Sequence, residues 1–326
     1  MTNDTRLNRR RFLMAAGGTA AAIGASGILD GQRSFASSAA QLPLPPVAIF
    51  SKLYQELKLD FEQSGAVTAE AGLDGIDCAV RAGGEILPEQ AVEMMPKYAE
   101  ALEKHGVKML LLTTGIVGVD SPSARDVLVT GNKLGIRYYR LGFWPNRPDS
   151  PAEKQTAETK ARLKELAAMN RELGVCGLFE NHSATGTKVG AKSDLRKAGG
   201  YVGGDLNELY DLVHDFNPDQ IAIAFDLGHA IVEHGDDWHK HFERLKDHIR
   251  IVYIKDVKQS ARFVPLGEGE FGRTDFFTLL KGMNYREPLC IHIEYPWAPA
   301  GKKTRAAMVE TLKNSRRVVG DWWQRA

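Results

Sequence analysis

The chain has 326 residues, a formal net charge of +1 and 25% charged residues. That near-neutral balance, with no basic run interleaved with aromatics, argues against a nucleic-acid surface. The three cysteines, Cys78, Cys176 and Cys290, are odd in number and each sits in an apolar run. They read as small buried hydrophobes rather than a disulfide framework or a zinc site.

The N-terminus carries Arg9-Arg10-Arg11-Phe12-Leu13, then an Ala/Gly-rich stretch over 14–29 and small residues over 36–40. This is the pattern of a Tat-type export signal over residues 1–40, so the mature protein is expected in the periplasm. A single uncleaved anchor is the alternative, and the short, glycine-rich stretch disfavours it. No later segment approaches the length of a membrane span, so no stable span is expected after processing. The body, residues 41–326, is about 285 residues, enough for one large α/β barrel or two small domains.

Along the body, short apolar runs alternate with longer amphipathic segments. Strands are expected at 47–51, 75–80, 108–113, 136–141, 175–180, 221–226, 251–254 and 289–294. Helices are expected at 88–105, at 152–173 before Gly174, and at about 304–323. Eight βα units predict a single (β/α)8 TIM barrel. A doubly wound open sheet is the alternative, but neither a Gly-x-Gly-x-x-Gly after an early strand nor a P-loop supports its nucleotide-binding form. Two glycine-rich loops, 184–204 and 259–274, are expected as lids over the C-terminal face.

Three of the apolar runs end in acids: Glu180, Asp226 and Glu294. The C-terminal strand ends of a parallel barrel converge on one site, and clustered carboxylates there need a cation, donors or water. Hard oxygen donors suit Mn2+, Mg2+ or a similar divalent ion. His292, two residues before Glu294, either completes the shell or packs one layer below. His229, three residues after Asp226, either meets substrate or a ligand, or caps the next helix. His182 is a candidate substrate or supporting group beside Glu180. Lys255 and Asp256 either contact substrate hydroxyls and support the shell or form a plain ion pair. Arg140 and Trp144 are placed to line the pocket. The run 265–272, with its Gly-Glu-Gly, is expected as a tight loop beside the site. His234, His239, His241 and His248 read as solvated surface.

These residues together resemble the xylose-isomerase-like barrel superfamily of sugar isomerases, epimerases and dehydratases, over about residues 47–323. The resemblance rests on Glu180-Asn181-His182, Phe225-Asp226-Leu227-Gly228-His229, Lys255-Asp256, the Gly-Glu-Gly turn and Glu294. It implies one divalent metal (Mn2+, Mg2+ or Co2+) on Glu180, Asp226 and Glu294, with the two glutamates moving a proton beside a sugar carbonyl. His229 would touch the substrate. The chain departs from the pattern at three places. Tyr253 stands where a histidine is usual, Gly186 where ketose 3-epimerases carry a glutamate, and Gln259 where they carry an arginine. The expected function is therefore a sugar isomerase or epimerase. A lyase or dehydratase on a keto-sugar or keto-glycoside, a non-catalytic sugar-binding barrel and a metal-dependent endonuclease are the alternatives. The expected partner is a small sugar or sugar derivative, and a homo-oligomer stays open.

Overall fold

The computed structural model of the chain describes residues 42–184, 200–258, 262–299 and 301–326. The expected export signal lies outside these residues, as do Gly186 and Gln259. Ten strands form among the described residues: β1 Val47–Phe50, β2 Gly75–Val80, β3 Lys108–Thr114, β4 Tyr138–Arg140, β5 Cys176–Glu180, β6 Ile221–Asp226, β7 Ile249–Ile254, β8 Asp256–Lys258, β9 Arg262–Val264 and β10 Leu289–Ile291. Eight of them close a parallel barrel in the order β1-β10-β7-β6-β5-β4-β3-β2. All eight expected strands appear. The fourth narrows to three residues, and the last stops at Ile291, after which only the His292 N–H still bonds the sheet, to Ile254 O at 3.1 Å.

The site is set by the two-residue period of these strands. Along β6, Ile221, Ile223 and Phe225 pack outward into the layer between sheet and helices, while Ala222 and Ala224 fill the barrel interior. The same alternation puts Cys176 and Leu178 inside on β5, Ile251 and Tyr253 on β7, and Cys290 on β10. Continuing it by two residues aims Glu180, Asp226, Lys255 and His292 into the barrel at its C-terminal end. All three cysteines are buried and free, as expected.

The helices follow the amphipathic pattern. The 88–105 segment is a 3-10 turn followed by a helix at Ala91–Glu103, and a long helix at Ala152–Leu173 precedes β5. The last helix, Arg305–Arg325, is capped by the Thr304 hydroxyl, which accepts the Ala307 N–H at 3.2 Å. The four histidines expected in solvent are half-buried instead. His239 stacks on Trp238 at 3.6 Å and meets Asp275 at 2.7 Å, and the rings of His234 and His241 lie 4.3 Å apart. Charged neighbours in the sequence hid the aromatic surfaces that cover them. Most of the 184–204 loop lies outside the described residues; its end, from Gly200, is tied back by Val202 N–H to Trp144 O at 2.9 Å. The described part of the 259–274 loop begins as an antiparallel hairpin of β8 and β9.

Candidate active site

One ammonium group organises the mouth of the barrel. Lys255, two residues beyond Tyr253, places its Nζ 2.8 Å from His229 Nε2, 2.9 Å from Asp226 Oδ2, 3.2 Å from Glu294 Oε1 and 3.6 Å from Glu180 Oε1. Arg140, from the end of β4, adds a second cation 3.3 Å from Glu180 and lies 4.5 Å over the Phe143 ring. Glu180, Asp226, His229, Lys255 and Arg140 are all buried, whereas Glu294 is exposed. Sequence-expected residues from five strand ends are thus brought to one point.

Local backbone bonds fix this geometry. The Asn181 side chain donates to Asp226 O and accepts the Asp226 N–H, both at 2.8 Å, which locks the end of β5 to the end of β6. Asp226 Oδ1 accepts the His229 N–H at 3.0 Å as the cap of the following helix, Leu227–His234. Gly228 in that turn makes room for the lysine, since a Cβ there would lie 2.8 Å from Lys255 O and 3.1 Å from Lys255 Cβ.

The charges follow from the packing. Burial works against the Lys255 charge, but Asp226, Glu294 and Glu180 outweigh it and hold the group protonated above the usual lysine range. Burial likewise opposes ionisation of Glu180 and Glu294, yet Lys255 pulls both below the usual carboxylate range, with Arg140 helping at Glu180 and His292 at Glu294. Burial first, and Lys255 second, keep His229 neutral. Burial pushes the Asp226 carboxyl up to about 7, so the site holds two ionised glutamates, one aspartate that binds its proton more tightly, one ammonium and one neutral imidazole.

An open cavity of about 830 Å3 lies over this cluster, lined by Phe50, Gln55, His182, Glu294 and Tyr295 among others. That volume is in the range of small-molecule sites, about 300–1,000 Å3. His182 reaches it with its ring 3.9 Å from that of His229, and burial lowers its pKa.

Three of the expected residues play other parts. Trp144 does not face this cavity: it stacks on the outward-pointing Phe179 at 5.2 Å and lines a separate cleft with Val117, Arg147 and Gln155. The odd position of Phe179 on β5 sends both rings outside the barrel. Asp256 holds its own loop rather than substrate. Its Oδ1 accepts the N–H groups of Val257 at 2.9 Å and Phe271 at 3.0 Å, and its Oδ2 those of Gly267 at 2.8 Å and Gly269 at 3.0 Å. This explains the Gly-Glu-Gly turn, because a Cβ at position 269 would sit 2.3 Å from Asp256 Oδ1.

His292 meets the cluster only at Glu294, with Nδ1 3.8 Å from Glu294 Oε1. It packs between Phe50 at 4.8 Å and Tyr253 at 4.2 Å, and its donor atoms group with those of Asp77 and Cys290 one layer deeper. Both its ring nitrogens, the Tyr253 hydroxyl and Asp77 Oδ1 are buried without a hydrogen-bond partner. Ser183 and Phe263 were not singled out from sequence, and Asn181 entered only as part of the Glu180-Asn181-His182 run. Ser183 meets His229 Nδ1 at 2.7 Å, and the Phe263 ring faces Lys255 Nζ at 5.7 Å. Only the adjacency of Ser183 to His182 could have signalled one of the two missed residues.

Two groups of donor atoms are spaced closely enough to hold an ion: Glu180, Asp226 and His229, and Asp77, Cys290 and His292. The oxygen donors of the first suit a hard divalent cation. Its centre is taken, however, by the Lys255 ammonium, within 3 Å of both Asp226 and His229. Two cations cannot share that volume, and Tyr253, burial of which keeps its phenol neutral, supplies no ligand in place of the usual histidine. The donor set itself suits a divalent ion, with the Lys255 ammonium lying where that ion would sit.

Among curated proteins, the chain is 28% identical over 97 residues to inosose dehydratase of Lacticaseibacillus casei; the match covers 30% of this chain and 27% of that protein. The chain thus spans about a quarter of that relative's length. Solved structures share the whole barrel at low identity. L-ribulose 3-epimerase aligns with a TM-score of 0.64 at 16% identity, covering 86% of this chain and 95% of the other. The IolI protein with a bound zinc atom gives 0.63 at 15%, over 86% and 98%. The 3-keto-D-glucoside 4-epimerase of E. coli gives 0.59 at 14%, over 79% and 94%. A family profile described as xylose isomerase-like TIM barrel matches residues 66–315. With its closed eight-stranded parallel barrel and that match, the chain belongs to the xylose isomerase-like TIM barrel family.

Proposed function

We propose that the chain moves a proton on a carbon beside the carbonyl of a sugar or sugar derivative, isomerising or epimerising it. The observation that carries this reading is that two ionised glutamates, Glu180 and Glu294, approach one buried ammonium, and that Glu294 also lines an open cavity. Lys255 lies buried beneath that cavity, and on turning toward it the ammonium donates to a substrate carbonyl oxygen, which acidifies the neighbouring C–H and stabilises the enediolate that follows its removal. One glutamate takes the proton. The other returns a proton, to the adjacent carbon in isomerisation or to the opposite face of the same carbon in epimerisation. Substrate binding draws Lys255 away from the carboxylates, which strengthens them as bases at the moment they act. Arg140 holds Glu180, and His182 faces the cavity where substrate hydroxyls would lie.

A second reading is a lyase or dehydratase on a keto-sugar. The stretch of similarity to inosose dehydratase favours it. The same proton abstraction would be followed by loss of the β-oxygen, protonated by Lys255 as it leaves. The centre expected from sequence, Mn2+, Mg2+ or Co2+ on Glu180, Asp226 and Glu294, requires Lys255 to withdraw first. The proposed protein works in the periplasm, delivered by the twin-arginine segment.

Incubation with a panel of keto-sugars in D2O, followed by NMR, tests the reaction. Deuterium in the recovered sugar or its isomer is the expected result. Elimination products would move the assignment to a lyase, and no exchange with any sugar would leave a binding protein.

A further inference from the structure

We propose that Lys255 stands in this site in place of a divalent metal, so that the protein gathers its carboxylates and polarises its substrate with an ammonium and needs no ion. The catalytic part of this proposal rests on the proton-transfer reading above; the metal-free part does not.

Nζ is hydrogen-bonded to His229 Nε2 at 2.8 Å and ion-paired with Asp226 Oδ2 at 2.9 Å, Glu294 Oε1 at 3.2 Å and Glu180 Oε1 at 3.6 Å, while Asp226 Oδ2 is left without a hydrogen-bond partner. The lysine is fully enclosed, with Phe263 closing one side of it. Its backbone is anchored on both sides: the next residue, Asp256, clamps four backbone N–H groups, and Gly228 is shaped to its Cβ. The backbone is thus fixed at this residue, and only the side chain turns when substrate enters.

The neighbours that could have extended a metal shell are turned to other uses. Tyr253, the preceding inward position on the same strand, lies beside His292 with its hydroxyl unpartnered. His292 groups with Asp77 and Cys290 and meets the carboxylates only at Glu294, 3.8 Å away. The two glutamates are matched by the two cations, Lys255 and Arg140, without an ion.

In the proposed step, only the α C–H bond breaks. Its proton goes to a glutamate and its electron pair to the carbonyl oxygen, where the Lys255 N–H holds the negative charge without transferring its own proton. No oxidant, reductant or further reactant enters.

The test is a Mn2+ titration of the whole protein, followed by electron paramagnetic resonance and by thermal unfolding, beside the D2O exchange assay before and after chelation. Wild type is expected to bind Mn2+ weakly, to gain no thermal stability from it and to keep its exchange rate after chelation. Lys255→Met leaves the carboxylates uncompensated and should bind Mn2+ about 100-fold more tightly than wild type, with exchange lost. Stoichiometric, tight Mn2+ binding by wild type, or exchange that chelation abolishes and Mn2+ restores, would overturn the proposal. The wild-type titration decides this whether or not the variant folds. Exchange absent with every sugar would count against the proposed reaction alone, since the titration needs no substrate.

Discussion

Lys255 Nζ donates to His229 Nε2 across 2.8 Å, and this contact fixes the tautomer of the histidine. A neutral imidazole that accepts at Nε2 must carry its proton on Nδ1, which then donates to the Ser183 hydroxyl at 2.7 Å. Ser183→Ala would leave that buried N–H unpaired, a loss of about 1–3 kcal/mol in unfolding free energy. Denaturant unfolding should show this deficit while proton exchange on substrate stays within a few-fold of wild type. An unchanged stability would mean that the imidazole has another partner.

Asp256 gives a larger effect for a similar reason. Its carboxylate satisfies four backbone N–H groups of one loop, three of them from residues 267, 269 and 271. Asp256→Ala strands these donors together, so a destabilisation of at least about 3 kcal/mol is expected even with water entering. Gly269→Ala should also destabilise, because the new methyl meets the carboxylate at 2.3 Å. Calorimetry of both variants checks this; normal unfolding temperatures would return Asp256 to a role in substrate binding.

How the site could be read from sequence follows from these contacts. Glu180, Asp226 and Glu294 were legible because acids after buried strands have few ways to be satisfied. The barrel was legible because eight apolar runs recur between amphipathic helices. Lys255 was legible as a site residue but not as the centre, since nothing in its strand says how far a four-carbon stem will reach. Trp144 was misplaced because β4 ends at Arg140, and the alternation that sets side-chain direction stops with the strand. His292 follows the alternation of its strand, but the depth at which it sits depends on its packing between Phe50 and Tyr253, residues of two other strands.

A pH-dependent prediction comes from Glu85, away from the site. It accepts from the Ser51 and Tyr98 hydroxyls, and burial pushes its carboxyl up from 4.5 to about 7. The folded pKa lies above the unfolded one, so the protonated form stabilises the fold. That contribution is complete below pH 4.5 and is lost as pH rises to about 7. The shift corresponds to at most about 3 kcal/mol. Glu85→Gln removes the titration, so its stability relative to wild type should climb from pH 4.5 to 7 and then level off. Urea unfolding at several pH values would reveal this; a pH-independent difference would contradict it.

Residues 1–40 are proposed to direct export, since paired arginines before a weakly apolar stretch are the recognition pattern of the twin-arginine route. Replacing Arg9 and Arg10 with lysine keeps the charge but changes the geometry that a guanidinium offers. The variant should accumulate in the cytoplasm with an unchanged barrel, as judged by fractionation and circular dichroism. Periplasmic recovery equal to wild type would reject the assignment.

The chemistry itself is tested at Glu294. This glutamate combines exposure to the cavity with a 3.2 Å contact to Lys255, and it is the group best placed to reach a bound sugar. Glu294→Gln preserves size and hydrogen-bonding capacity but cannot accept a proton. Removing a general base typically lowers rate by about 10²–10⁴-fold, so kcat should fall in that range while KM changes little. The two parameters separate because ground-state binding still has Lys255 and the cavity walls, whereas the transition state has lost the acceptor for its proton. Glu180→Gln should lower kcat as well, and solvent deuterium exchange distinguishes the roles. The variant lacking the abstracting base loses exchange, and the variant lacking the returning acid keeps it while product formation fails. Exchange and turnover near wild type in both variants would remove the two-glutamate mechanism, leaving His182 as the nearest group in the cavity able to take the proton.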